Sequence, residues 1–152
     1  LDEIEYLDIE ILDLSGKTRK ISVEDAPKEV WKKIRPVLRT PVITKFQLAE
    51  DIELEKKAGI SALCEYSMLA DNQYPTYGIT KKELQEVNLK QFRQISAGEE
   101  IGCEVIELGY FIDFDGNQVQ DPLSVVLSIS EADRMDERVE GCIEEMLEEH
   151  VW

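Results

Sequence analysis

This 152-residue chain is short of glycine, proline, cysteine and, above all, histidine: it has eight Gly, five Pro, three Cys and one His. So little Gly and Pro, beside 43% hydrophobic and 33% charged residues, excludes a collagen-like, low-complexity or disordered chain. Cys64, Cys103 and Cys142 are odd in number, widely spaced and set among apolar neighbours. They read as reduced core thiols, not as a disulfide framework or a metal knuckle. No CxxC, HExxH, GxSxG or Gly-rich phosphate loop occurs. No apolar run approaches the ~20 residues that span a bilayer, and no basic segment followed by an apolar stretch opens the chain. The expected compartment is therefore the cytoplasm, without membrane association. Positive charge is also scarce. With 17 basic against 33 acidic residues the net charge is −16, a field that repels phosphate backbones and anionic membranes, so direct nucleic-acid binding by this domain is not expected. The length suits one domain over residues 1–152. The chain opens on Leu1, from which we expect a domain excised from a longer polypeptide.

The apolar pattern alternates sheet and helix signals. Glu5 to Leu14 and Thr18 to Val23, separated by Ser15-Gly16-Lys17, predict a hairpin. Asp25-Ala26-Pro27 predicts a helix start, with Asp25 as the cap and Pro27 in the first turn. Pro36 or Pro41 limits that helix. Val42 to Leu48 predicts a strand, and the charged Glu50 to Lys57 a surface segment. A helix from Gly59 through Leu69, apolar on most faces, is expected at the centre. Thr76 to Thr80 predicts a short strand, and Thr80-Lys81-Lys82-Glu83 a capping box before a short helix. Cys103 to Leu108 predicts a strand, running on through Tyr110-Phe111-Ile112 to a turn at Asp115-Gly116. Leu123 to Ile129 reads as an interior strand or a buried helix, which periodicity does not separate. Met135, Val139, Cys142, Ile143, Met146, Leu147 and Val151 recur at helical spacing, with Asp133 or Asp136 as the cap. The expected fold class is α+β, a mixed β-sheet flanked by helices and ending in an acidic amphipathic helix.

Charge is unevenly spread. Lys17 to Lys45 carries nine basic residues against three acidic, a local net of +6, whereas residues 131–152 carry nine acids and two bases, a net of −7. A solvated face, or an internal complement of one patch to the other, accounts for both runs; docking surfaces are the functional reading. The candidate interaction residues are Lys28, Lys32, Lys33, Arg35 and Arg39 on the basic side, and Glu140, Glu144, Glu145 and Glu148 on the acidic side.

Chemistry-bearing patterns are weak. Asp113-Phe114-Asp115-Gly116-Asn117 resembles a calcium loop only briefly: its Gly stands fourth instead of sixth, and the twelfth position is Ser124. A nuclease core would need an acid and an acid-x-Lys pair on neighbouring strands to hold Mg²⁺. Glu53-Leu54-Glu55-Lys56 and Asp121 supply the residue types in another arrangement. His150, in the last helical turn, has no Ser or Cys partner at a triad spacing and suits a contact with the helix C-terminal dipole. No catalytic residue, cofactor or metal is expected.

Asp121-Pro122-Leu123-Ser124-Val125-Val126-Leu127-Ser128-Ile129, then Asp136-Glu137-Arg138-Val139-Glu140 and an acidic helix ending in Trp152, resembles the end of bacterial helix-turn-helix regulators labelled MarR-like, and more distantly AbiEi-type antitoxins. Gly59-Ile60-Ser61-Ala62-Leu63, Tyr66-Ser67-Met68-Leu69-Ala70 and Tyr74-Pro75-Thr76-Tyr77-Gly78-Ile79 fit the same pattern in the same order, over about two-thirds of the chain. A Gln118-Val119-Gln120 insert departs from it. The resemblance implies a non-catalytic C-terminal regulatory or dimerisation domain, with a DNA-binding domain upstream in the same chain and a homodimer as the assembly. An antitoxin-like module with a cognate protein partner, and a degenerate or active nuclease domain, are the competing expectations.

Overall fold

The computed structural model describes residues 24–70, 72–87 and 92–152; the hairpin expected at 5–23 lies outside them. The chain divides into two compact units, Leu1–Arg39 with Trp152, and Thr40–Val151.

In the first unit, helix α1 spans Pro27–Ile34 and tightens into a 3-10 turn at Arg35–Val37. Pro27 occupies the first turn, where its missing N–H costs nothing. The cap differs from expectation. Ala26 is the N-cap and offers no side-chain bond. The Asp25 carboxylate instead accepts from Lys33 Nζ at 2.8 Å. Pro36 sits within the 3-10 turn, as its lack of a donor requires.

The second unit is built on three strands, β1 (Val42–Leu48), β2 (Thr76–Thr80) and β3 (Cys103–Leu108). Their order is β1-β3-β2. Strand β1 runs antiparallel to β3, with Leu48 opposite Cys103, Phe46 opposite Val105 and Val42 opposite Leu108, and a bulge lies between Val42 and Thr44. Strand β2 runs parallel to β3, pairing Gly78 with Ile106. The central strand is buried on both faces, which explains its apolar alternation at two phases. Cys103 and Val105 pack with Leu48, Tyr77 and Ile79, whereas Ile106 and Leu108 pack with Ala58. The sheet is therefore mixed and flanked by helices, an α+β architecture.

Among the described residues, five helices complete the unit: α2 (Gly59–Tyr66), α3 (Lys81–Glu86), α4 (Pro122–Ser128), α5 (Glu131–Arg134) and α6 (Glu137–His150). Helix α2 packs against β2, α4 and α6, while α3 covers β2 and β3. It ends at Tyr66, short of the expected Leu69, because Ser67 turns extended (φ −142°, ψ 175°) and its hydroxyl donates back to the Leu63 carbonyl at 2.8 Å. Met68, expected inside this helix, is therefore exposed.

The run at Leu123 to Ile129 is a helix, not a strand. Asp121 caps it, accepting from Ser124 N at 3.0 Å, and Pro122 takes the first position. The signature Asp-Pro-x-Ser outweighs β-branching here. A second cap, Ser130, starts the one-turn α5, and Asp136 then caps α6. That break removes Met135 from the apolar stripe of α6 and leaves it 86% exposed. The expected capping box at Thr80 forms in both directions with Glu83. At the Asp115-Gly116 turn both residues have positive φ (66° and 73°), which aspartate and glycine tolerate better than other residues.

Candidate functional site

The segment Lys56–Ala58 works as a rung between β2 and the chain at 118–120. Gly78 N donates to Lys56 O at 2.8 Å, Ala58 N to Thr76 O at 3.2 Å, Lys57 N to Gln118 O at 2.9 Å and Gln120 N to Lys57 O at 3.0 Å. This fixes Gln120, wholly buried, at the junction of two helices. Its side-chain oxygen accepts from Gly59 N at 3.1 Å, at the start of α2, and its Nε2 donates to Ser128 Oγ at 2.8 Å, at the end of α4. Ser128 Oγ donates in turn to Ser124 O at 2.7 Å. Both polar atoms that the glutamine side chain brings into the core thus have a partner.

The same junction carries an aromatic cluster. Tyr66, the last residue of α2, donates its hydroxyl to the Gln120 carbonyl at 2.8 Å. Its ring centroid lies 5.8 Å from Phe114 and 5.2 Å from His150, and Phe114 lies 6.3 Å from His150. Burial first, then the charges of Asp121, Asp113, Asp115 and Glu65, push the Tyr66 phenol well above its usual range. Beside the rings is a cleft of about 550 Å³, lined also by Lys57, Glu65, Asp115 and Asn117. Lys57 forms an ion pair with Glu65. The Asp121 Oδ2 atom is buried without a hydrogen-bond partner. On the opposite side of the sheet Tyr77 donates to Asp51 at 3.0 Å, and burial with that carboxylate raises its pKa to about 12.

A second cleft, of about 800 Å³, lies between the segment after α2 (Met68, Leu69, Ala70) and the α5 to α6 region (Asp133, Asp136, Val139, Cys142). The acidic helix forms its wall. Val139, Ile143, Met146 and Leu147 face the core, while Glu144, Glu145, Glu148 and Glu149 are exposed. Glu140 is already engaged, with Arg134 Nε and Nη2 both donating to its carboxylate at 2.8 Å. That hydrogen-bonded guanidinium holds the Glu140 carboxyl below its usual range.

Of the basic candidates, Lys28, Lys32 and Lys33 lie on α1, Arg35 opens the 3-10 turn and Arg39 follows it. Lys32 is paired with Glu29 at 3.0 Å and Lys33 with Asp25 at 2.8 Å. The nuclease-type residues do not converge: Lys56 pairs with Glu83, Glu53 and Glu55 are exposed, and Asp121 caps α4. Among the described residues no cluster of three or more His, Cys, Asp or Glu side chains is arranged to hold a metal ion. None of their helices is long and apolar enough to cross a membrane. The three cysteines are free thiols, and burial raises the pKa of Cys103. Sequence reasoning missed the Tyr66, Phe114 and His150 cluster, because its members stand far apart in the chain and in three different elements. Only the lone histidine gave a signal.

Glu83 supplies a testable pH dependence. Burial opposes its charge, but the Lys56 ammonium and the Thr80 N–H and hydroxyl overcome that and hold its pKa down to about 2, against an ordinary 4.5. A carboxylate depressed in the folded state stabilises the fold fully above its unfolded pKa and loses that contribution as pH falls through its folded one. The urea midpoint should therefore fall between about pH 4.5 and 2, and Glu83→Gln should flatten part of the fall. An unchanged pH profile in the variant would contradict the assignment.

The fold is thus a mixed-sheet α+β domain with a polar junction, an aromatic cleft and an acidic terminal helix. No family model, no curated protein and no solved structure matches the chain.

Proposed function

We propose that the chain is a non-catalytic regulatory or dimerisation domain of a bacterial helix-turn-helix transcriptional regulator, working through its acidic final helix. The observation that carries this reading is the division of α6: four apolar residues are buried, and the exposed face carries Glu144, Glu145, Glu148 and Glu149. Repeated Glu toward a helix C-terminus opposes the macrodipole and like charges repel at i, i+4. Such a face gains from a cationic surface laid against it. The resemblance of the 121–140 segment to helix-turn-helix regulators supplies the class, and the net charge of −16 leaves phosphate recognition to an upstream domain in the same chain.

The occupant of this face is the basic helix α1 of a second copy. In a two-fold dimer each acidic helix meets the partner's Lys28, Lys32, Lys33, Arg35 and Arg39 surface, and the same contact occurs twice. Such a dimer sets the spacing of two DNA-binding heads, and a ligand or protein that binds one conformation better shifts it.

Sedimentation of the protein at about 100 μM in about 0.1 M salt should give a dimer that dissociates near 1 M salt, where the screening length falls to about 3 Å. Glu144→Lys with Glu148→Lys should abolish dimerisation, and mixing with the Lys28→Glu, Lys32→Glu chain should restore it. A monomer at both salt concentrations overturns the proposal. A monomer that instead forms a one-to-one complex with the product of a neighbouring gene would identify an antitoxin-like module.

A further inference from the structure

The aromatic cleft is independent of the docking face and has a chemistry of its own. Three rings from three elements wall it: Tyr66 at the end of α2, Phe114 at the turn after β3, and His150 at the end of α6. Their planes are inclined by 57° to 85°, so the rings meet edge to face. The remaining charged lining is two carboxylates, Asp115 and Glu65, against one ammonium, Lys57, which is already paired with Glu65. Ring faces are the negative poles of aromatic quadrupoles, and carboxylates add to that field.

We propose that this cleft binds a single organic cation of the guanidinium or alkylated-ammonium type, against the wall formed by the Tyr66, Phe114 and His150 rings and with Asp115 at its rim. Burial first, and then the acids Asp121, Asp113, Asp115 and Glu65, raise the Tyr66 phenol, which agrees with a negative field at this wall of the cleft. An anionic ligand would be repelled by these acids, and the one ammonium of the lining, Lys57, is already paired with Glu65. A neutral ligand would have no use for them. Cation–π attraction operates within about 6 Å of a ring centroid. The rings here lie 5.2 to 6.3 Å from one another, in mutual contact, so a cation would seat against the side of the cluster that lines the cleft. The cluster is also rigid where it matters, since the Tyr66 hydroxyl is tied to the Gln120 carbonyl at 2.8 Å.

His150 is the chain's one histidine, so its imidazole C–H resonances in a proton NMR spectrum report on this cleft alone. Tetramethylammonium chloride and arginine amide are titrated separately at about pH 8, with sodium chloride at matched ionic strength as the reference. The expected result is a saturable shift of the His150 signals by at least one probe and none by sodium chloride. The probe that saturates at the lower concentration tells a quaternary ammonium from a guanidinium as the preferred group. Phe114→Leu keeps apolar volume but removes a ring face, and should weaken binding about tenfold. Asp115→Asn tolerates the same positive φ and should weaken it about threefold; should Phe114→Leu not fold, this variant alone decides. Shifts no different from those of sodium chloride, or binding unmoved by Asp115→Asn and by a folded Phe114→Leu, would overturn the proposal.

Discussion

Replacing Gly102 with alanine is expected to destabilise the Thr40–Val151 unit by about 3 kcal/mol, the upper part of the range for forced overpacking. A Cβ at this position would stand 2.6 Å from the Ala49 carbonyl oxygen and from the Glu50 carbonyl carbon, and 2.7 Å from Glu50 Cα. All three atoms are backbone, so no side chain can swing aside. The chain here is held by Gly102 N donating to Leu48 O at 2.8 Å, and Leu48 pairs with Cys103 in the ladder. Relief of the clash must therefore open the end of the β1 to β3 pairing, beneath the core formed by Leu48, Cys103 and Val105. Gly141 provides the opposite control. It lies inside α6 with nothing within 4 Å of a built Cβ. Gly141→Ala should stabilise the protein by about 0.5–1 kcal/mol, because alanine loses less backbone entropy in a helix. Urea unfolding of the two variants measures both signs. A Gly102→Ala protein as stable as the parent would show that the 48–50 segment yields freely.

The second large effect is expected at Gln120. Gln120→Leu keeps the volume but leaves Gly59 N–H without its acceptor and takes a donor from Ser128 Oγ. A buried donor left unpaired costs about 1–3 kcal/mol, and the disturbed packing brings the expected loss to about 2–4 kcal/mol. The contact with Ser128 can be isolated. Ser128→Ala should cost less in the Gln120→Leu background than in the parent, since the hydrogen bond between the two is already gone. Equal costs in both backgrounds would show that the two side chains are not coupled. A Gln120→Leu chain within about 0.5 kcal/mol of the parent, the range of ordinary surface substitutions, would remove the glutamine from its place as the link between α2 and α4.

Both predictions concern residues whose importance is invisible in one dimension. Gly102 follows a charged stretch and resembles any loop glycine. Gln120 sits in a polar insert that departs from the regulator pattern, and only its burial beneath two helices shows that this insert closes the core. Where local chemistry is decisive, the sequence is explicit. Val42 to Leu48 marks a strand whose limits the structure reproduces, and Cys103 marks the start of another, which ends at Leu108 instead of running on through Ile112; Thr80 with Glu83 writes out a reciprocal cap. Where two local signals compete, reading along the chain left the outcome open or misplaced it. Asp121-Pro122 initiates a helix in a run of β-branched residues, and Ser67 stops α2 one turn before its apolar pattern ends.

The sequence by itself determined the α+β class, the positions of β1 and β2 and the start of β3, the cap at Thr80 and the segregation of acidic charge onto the last helix. These follow from interactions within a few residues, which spacing encodes. Tertiary structure alone decided that β1 and β2 flank β3 with opposite polarity, that Glu140 is taken by Arg134, and that Tyr66, Phe114 and His150 share one cleft. The physical reason is the same in each case: pairing partners and cavity walls are chosen by which buried surfaces fit together, and residues distant in the chain carry no spacing that records the fit.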